Sequence, residues 1–531
     1  MDAVQEEYDV VIVGGGHNGL VAATYLAKTG KSVLLLERQD HIGGATVSAQ
    51  AFPGVDARLS RYSYLISLLP RQIIADLDLD LELIRRRYSS YTPLPGTTQG
   101  LLVDNNDDGI TAASFAAIGA GADVDGFSQL YERTGKLARR LWPTMMKPLL
   151  RRSEARDLVG DDQLWDDFME RPIGEVIERS VQNDLVRGVV LTDGLISTYA
   201  RAHEPDLSQN RCFFYHVTGG GTGDWDVPVG GMGALTDALA RAADAAAVQM
   251  FTGAEVTHVS PDGQVRYELD GKSRSLQAGR VLSNAAPAVL ERLLGNGQGT
   301  QPSPPSRPEP EGAQAKVNLL LSRLPKLKDP GVAPEAAFGG TFHINELYSQ
   351  LETAYEQAGT GQIPDPLPAE IYCHSLADPS ILSPELRGTG AHTLTVFTLH
   401  TPHRLLTEEN NERMRSELQA ATLASLNTVL AEPIEDCLLR DSDGGLCVET
   451  KTTLDLEHTL NMPGGNIFHG PLSWPFVEDD APLDTAAQRW GVATGHDRIL
   501  LCGAGSQRGG GVSGLGGYSA AMAVLEDDAA G

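Results

Sequence analysis

Residues 8–37 read YDVVIVGGGHNGLVAATYLAKTGKSVLLLE, and the order of residue types in this stretch decides the fold. Val10-Val11-Ile12-Val13 is a continuous β-branched run with no polar alternation, as expected for a strand buried on both faces of a parallel sheet. Gly14-Gly15-Gly16-His17-Asn18-Gly19 follows at once, Leu20 to Thr29 has an Ala-rich helical pattern, and Ser32 to Glu37 is a second apolar run ending on an acid. The segment is therefore a βαβ unit.

Gly14, Gly16 and Gly19 stand at GxGxxG spacing between that strand and that helix. The first glycine permits the tight turn, the second leaves room for a pyrophosphate, and the third lets helix and strand pack closely. Phosphates then rest on the free N–H groups of the helix N-terminus, where the helix dipole favours negative charge. Glu37 closes the second strand, where an acid accepts hydrogen bonds from ribose hydroxyls. After Arg38 comes a second glycine pair, Gly43-Gly44, followed by Ala45. It would bring more backbone against the pyrophosphate or ribityl chain of a longer cofactor, which FAD requires and NAD does not.

Outward from this unit, 531 residues are too many for one ordinary core, and two or three lobes are expected. With 42 Lys+Arg against 70 Asp+Glu the net charge is −28, which excludes nucleic acid or anionic lipid as partners bound through the overall field. Local basic runs such as Arg85-Arg86-Arg87 read as solvated face. Five cysteines without a CxxC indicate free thiols and a reducing compartment. The opening MDAVQEEYD has no signal or transit pattern, and no run of 18 apolar residues occurs, so a cytoplasmic protein without an integral membrane segment is expected.

Further along, Phe127 to Leu150 and Asp166 to Ala200 read as helical, Arg211 to Tyr215 as strand-like, and Ala234 to Ala247 as a helix. Phe251 to Ser260, Gln264 to Leu269 and Ala278 to Ser283 form a predicted β-meander. Gly297 to Gln314 is rich in Pro, Gly, Ser and Gln, an exposed flexible loop by composition. Lys316 to Ser322 and Thr393 to Leu399 are strand-like, and Glu408 to Leu430 is an amphipathic helix. Arg498 to Cys502 should return to the first sheet, followed by a glycine-dense loop, Gly503 to Gly517, and a closing helix. Within the loop, backbone N–H groups at Gly511 and Val512 would stabilise negative charge on a reduced flavin ring.

The chain resembles the flavoprotein group of bacterial-type phytoene desaturases, FAD-dependent carotene ketolases and the pyridine nucleotide-disulphide oxidoreductase domain-containing protein 2 branch, and the last most strongly. The resemblance rests on GGGHNGLVAATYLA (14–27), LERQDHIGGA (36–45), SRYSYLISLLP (60–70), PVGGMGALTDALA (228–240), VLSNAAP (281–287), GGNIFHG (464–470) and CGAGSQRGGGVSG (502–514), in family order. It implies an α/β fold: a Rossmann-like FAD-binding lobe of discontinuous segments, interleaved with a substrate lobe of mixed sheet and helices. The FAD-binding segments are expected at 1–100, 226–296 and 461–531, the substrate segments at 101–225 and 315–460, and the flexible loop at 297–314. The cofactor residues are expected to be Gly14, Gly16, His17, Asn18, Gly19, Glu37, Arg38, Gly43, Gly44, Ala45, Val256 (against adenine), Gly503, Gly511 and Val512. Departures lie on the substrate side: the usual His-Pro before the C-terminal glycines is Gln507-Arg508, and the usual Arg-Asn after them is Tyr518-Ser519.

Hydride removal by a flavin needs positioning more than a dedicated acid or base. Candidate catalytic residues are His469, His216 and Trp474, with Asp224 and Trp225 nearby in the matched blocks. His400-Thr401-Pro402-His403 lacks a carboxylate or cysteine partner, and no metal is expected. The expected activity is FAD-dependent dehydrogenation of an apolar or amphiphilic small molecule. The alternatives are a carotenoid desaturase or ketolase, a flavin-bound regulator, and a binding protein like the GDP-dissociation inhibitors. Expected partners are a small-molecule substrate and, at most, further copies of the chain.

Overall fold

The computed structural model describes residues 5–295 and 310–530. Two seven-stranded sheets and a helical layer make up the architecture. In the first sheet, Glu7–Val13 lies between Val33–Leu36 and Lys272–Ser283, all parallel, with Gln249–Phe251 outside Val33–Leu36 and Ile499–Leu501 on the other side of Lys272–Ser283. The strand Lys272–Ser283 is longer than the sequence suggests because it serves two pairings. Its first half closes the meander against Gln264–Leu269, and its second half runs beside Glu7–Val13. Strand and helix bury both sheet faces, and Val11, Ile12, Leu34 and Leu35 are fully enclosed, as the unbroken apolar runs require.

The second sheet has the order Val448–Lys451, Lys316–Leu321, His392–Thr398, Ala369–Tyr372, Thr341–Ile344, Tyr88–Pro93, Gly100–Asp104. It therefore begins at Tyr88, inside the segment 1–100 that was expected to belong wholly to the cofactor lobe. A helical layer containing Val124–Leu141, Ile173–Ser180, Asp184–Thr192 and Ser208–Thr218 packs around Trp165, Phe168 and Phe213.

Two local expectations are corrected. Arg211 to Tyr215 is not a strand but the middle of the helix Ser208–Thr218. Its Cys-Phe-Phe-Tyr run is apolar because the helix is enclosed on most sides, and periodicity alone cannot distinguish that from a buried strand. The expected loop 297–314 falls largely outside the described residues, but its end is not exposed. Ala313 is fully buried, Gly312 N donates to Gly464 O at 2.9 Å, and Gln314 Nε2 donates to Gly465 O at 3.0 Å. The basic run also divides: Arg85 and Arg87 pair outward with Asp224 and Asp104, while Arg86 turns inward to Trp225 O and Thr341. Among the described residues, no helix is long and apolar enough to cross a membrane.

Candidate cofactor and substrate site

A cavity of about 590 Å³ starts at the glycine turn after the first strand and reaches the second sheet. The turn is built as its spacing demands. Gly14 has φ +99°, where a side chain would be strained, and a Cβ on Gly19 would stand 2.5 Å from Gly14 O. Gly16 caps the helix His17–Lys28 without a side-chain hydrogen bond, leaving the first-turn N–H groups without a capping acceptor. Asn284, at the end of the long strand, donates from Nδ2 to Gly14 O at 3.0 Å and holds the turn from the far side.

Glu37 is buried at the end of its strand; its carboxylate accepts from Gly15 N at 2.6 Å and Gln39 N at 2.7 Å. Each carboxylate oxygen retains acceptor capacity for a ribose hydroxyl, because a carboxylate offers about four lone-pair sites. Arg38 is tethered by Nη2 to Thr459 O at 2.9 Å. The second glycine pair packs directly on the first turn: Gly43 N donates to Gly15 O at 2.9 Å, and a Cβ on Gly44 would stand 3.3 Å from Gly16 Cα.

Of the residues expected at the cofactor, Gly14, Gly16, His17, Asn18, Glu37, Arg38, Gly44, Ala45, Val256, Gly511 and Val512 line the cavity. Gly19, Gly43 and Gly503 do not; they allow close packing behind it, Gly43 against the Thr236 side chain and Gly503 against Asn284 O. A dinucleotide fits this donor set: uncapped helix amides, a buried carboxylate at the strand end, and glycines whose Cβ would fill the cradle. His17 Nε2 and His469 Nδ1 are buried polar atoms without a protein partner, as expected where a polar ligand supplies one.

Of the three expected catalytic residues, His216 and His469 line the cavity. Burial holds both imidazoles neutral, with His216 pushed down to about 3 and His469 to about 4; His17, beside His469 and the Gly511 backbone, is pushed down to about 4. The His216 ring lies 4.6 Å from that of Trp225, whose Nε1 donates to His216 O at 3.0 Å. Trp474 is not at the site. It stacks on Phe476 at 5.9 Å in the helical core, where a buried indole is a packing residue. Asp224 is also outside, in its pair with Arg85 at 2.8 Å.

Sequence reasoning missed Lys316, a cation in the apolar run KVNLLL. It lines the cavity, and its ammonium lies 5.0 Å from the Phe397 ring centroid and donates to Ser60 O at 2.8 Å. Burial pushes it well below the usual lysine range. The departures at Gln507-Arg508 also have a structural role. Arg508 is buried and donates to the carbonyls of Thr144, Met145 and Lys147, while Gln507 Nε2 donates to Trp474 O and Phe476 O. Together they fasten the C-terminal glycine loop to the helical layer.

Residues 12–69 match the model of an NAD(P)-binding Rossmann-like domain. An uncharacterised protein of Mycobacterium tuberculosis is 55% identical over 98% of this chain and 97% of its own length. The pyridine nucleotide-disulfide oxidoreductase domain-containing protein 2 of Rattus norvegicus is 30% identical over 99% of this chain and 94% of its own length. Among solved structures, putrescine oxidase bound to putrescine has a TM-score of 0.55 at 17% identity, covering 99% of both chains. Cyclohexylamine oxidase from Brevibacterium oxydans has a TM-score of 0.54 at 14% identity, covering 98% of both chains. With end-to-end similarity to the rat protein and a dinucleotide cradle at the N-terminal turn, the chain belongs to the pyridine nucleotide-disulfide oxidoreductase domain-containing protein 2 branch of the FAD oxidoreductase family.

Proposed function

We propose that the protein is an FAD-dependent oxidoreductase that removes hydride from a C–H bond of an apolar or amphiphilic small molecule in the cytoplasm. The observation that carries this reading is the continuity of the cavity. It runs from the dinucleotide turn, past the glycine loop at Gly511, into a chamber walled by Tyr64, Leu65, Ile196, Trp225 and Phe397. An apolar chamber with a few convergent polar groups is the usual form of a small-molecule site.

In this reading the amides after Gly16 hold the pyrophosphate, Glu37 the ribose, Val256 the adenine, and the Gly511–Val512 backbone the ring system. Bound FAD supplies a two-electron acceptor for hydride. The chamber's own contribution is to orient the substrate against the contacting rings of Tyr64 and Phe397 and to exclude water. Neutral His216 and His469 offer imidazole nitrogens without bringing charge into the chamber.

The direct test is the spectrum of the purified protein, before and after addition of FAD. The expected result is a bound-flavin absorbance that bleaches anaerobically with a substrate. If no flavin is bound even after FAD is added, the reading fails. The same bleaching assay run with carotenoids in liposomes distinguishes the desaturase and ketolase alternatives, since bleaching there would assign the chamber to them.

A further inference from the structure

Behind the chamber wall lies a cluster of ionisable side chains that the proposed function does not use. Glu370 sits in the middle of the second sheet, 1% exposed, with His343 directly across from it on Thr341–Ile344 and Phe397 across on His392–Thr398. Placing a carboxyl group there costs several kcal/mol unless it is neutral or well paired. No cation pairs with it among the described ion pairs. Its Oε1 accepts from Thr192 Oγ1 at 3.2 Å, and its Oε2 accepts from the Tyr372 hydroxyl.

Tyr372 leads back to the cavity. Its ring lies 4.0 Å from that of Tyr64, centroid to centroid, so that the two hydroxyls are electrostatically coupled without a hydrogen bond between them at rest, and Tyr64 lines the chamber. A second cavity of about 20 Å³ lies behind both rings, lined also by Arg86, His374 and Thr393. That is room for about one water. Around Glu370 stand Asp193 and Thr192 from the end of one helix, Cys212 from another, His343 on the neighbouring strand with Glu346 just beyond it, and Arg86 over the Tyr372 ring at 5.9 Å, with His216 facing Arg86 and His343. His343 Nδ1 is paired with Glu346 Oε2 at 2.8 Å, and Glu346 Oε1 is buried without a partner.

We propose that Tyr64, Tyr372 and Glu370 form a proton path from the substrate chamber to a buried acceptor, with Glu370 as its end. The proposal rests on the oxidoreductase reading for the source of the proton: removing hydride from a C–H bond leaves one proton to be taken from the substrate. That proton bonds to the Tyr64 oxygen as the Tyr64 hydroxyl moves into hydrogen-bond reach of Tyr372 and gives its own proton to the Tyr372 oxygen, and Tyr372 gives its own to the Glu370 carboxylate along the hydrogen bond already in place. The net change is one proton moved from substrate to Glu370, and no electron travels along the path. Both tyrosines stay neutral throughout, because burial and the nearby carboxyl push them above the usual phenol range. Burial, reinforced by Glu346, raises Glu370 to about 7 against the opposing pull of His343, so it can both take and return a proton near neutrality.

The experiment follows the carboxyl stretch by infrared difference spectroscopy across about pH 7, with and without FAD, in H₂O and after rapid transfer to D₂O. It reads proton delivery without turnover, so it is separable from the flavin-spectrum test of the proposed function. The expected result is a protonated-carboxyl band that titrates in the wild type and is lost in Glu370→Gln. Its deuterium exchange should be about a hundredfold slower in both Tyr64→Phe and Tyr372→Phe, the size of effect a positioned proton-transfer group supplies. Retention of the band in Glu370→Gln, or unchanged exchange in both tyrosine variants, would overturn the proposal. Slow exchange in Tyr372→Phe alone would also overturn it, because protons would then enter from the small rear cavity rather than the chamber. Circular dichroism of each variant establishes that it is folded before its exchange is read.

Discussion

Replacing Gly517 by alanine tests whether close packing of two helices holds the cofactor turn in place. Gly517 lies in the C-terminal helix Leu515–Ala530, and a Cβ there would stand 2.0 Å from Asn18 O, 2.9 Å from Asn18 C and 3.0 Å from Ala22 N. All three atoms are backbone of the helix His17–Lys28, so no side chain can swing aside. Contacts shorter than 3.0 Å are essentially never seen, so the helices must separate by at least 3.0 − 2.0 = 1.0 Å. Overpacking of this kind costs about 1–3 kcal/mol of stability. The same shift moves the first-turn amides off the pyrophosphate position. Losing one charge-assisted hydrogen bond, about 1.5–3 kcal/mol, corresponds to an FAD affinity weakened about 10- to 100-fold. Flavin-fluorescence quenching gives the affinity and urea unfolding the stability. Gly388→Ala is the control: Gly388 is exposed in the helix Pro384–Thr389 with nothing within 4 Å of its Cβ position. That change should be neutral or stabilising by up to about 1 kcal/mol. If Gly517→Ala matches the wild type in both assays, the helix contact does not position the turn.

Three further outcomes are expected. Glu37→Gln replaces a carboxylate that accepts from Gly15 N and Gln39 N, and should weaken FAD binding by about 10- to 100-fold in the same quenching titration. Trp474→Phe should leave the flavin spectrum and its reduction unchanged while lowering the urea midpoint, because Trp474 packs in the helical core rather than at the cavity. Glu370 makes stability depend on pH in a defined direction. Between its usual value of 4.5 and about 7 the folded chain holds a proton that the unfolded chain has lost. Glu370 therefore makes stability fall as pH rises through that window, by up to about 3 kcal/mol, and unfolding free energies of Glu370→Gln should show a slope smaller by that share, Asp193 and Glu346 contributing in the same direction.

The cofactor end of the site was legible because its chemistry is local. Gly14, Gly16, Gly19 and Glu37 fall within one βαβ unit, whose spacing already implies the tight turn and the close helix–strand packing seen there, and the second glycine pair lies a few residues beyond. The chamber was less legible because its residues come from remote segments and look ordinary where they stand. Lys316 reads as the polar start of a strand, and only the pairing of that strand beside His392–Thr398 brings its ammonium over Phe397. Arg86 sits in a basic triplet whose neighbours both face solvent, and its inward turn depends on Thr341 and Trp225, which are distant in sequence. Arg211 to Tyr215 misled for a related reason: enclosure of a helix on most of its surface erases the periodicity that would reveal it. Trp474 lies four residues beyond the GGNIFHG stretch that reaches the cavity, but its ring follows Phe476 into the helical core.

The first sheet has a consequence for how the protein is made. Its strands come from residues 7–36, 249–283 and 499–501, and the contact between Asn18 and Gly517 spans 499 positions of chain. The dinucleotide turn leaves the ribosome well before the helix that seats it. At about 5–20 residues per second, roughly half a minute to two minutes separate them. For about the first half of that time the strand Glu7–Val13 lacks its long-range neighbour Lys272–Ser283, and such non-local pairings form slowly. The cavity wall formed by Ala504, Gly511 and Val512 is therefore added long after the glycine turn it faces. A chain stopped before Ile499 would carry a complete glycine fingerprint and still be unable to close around the ligand it encodes.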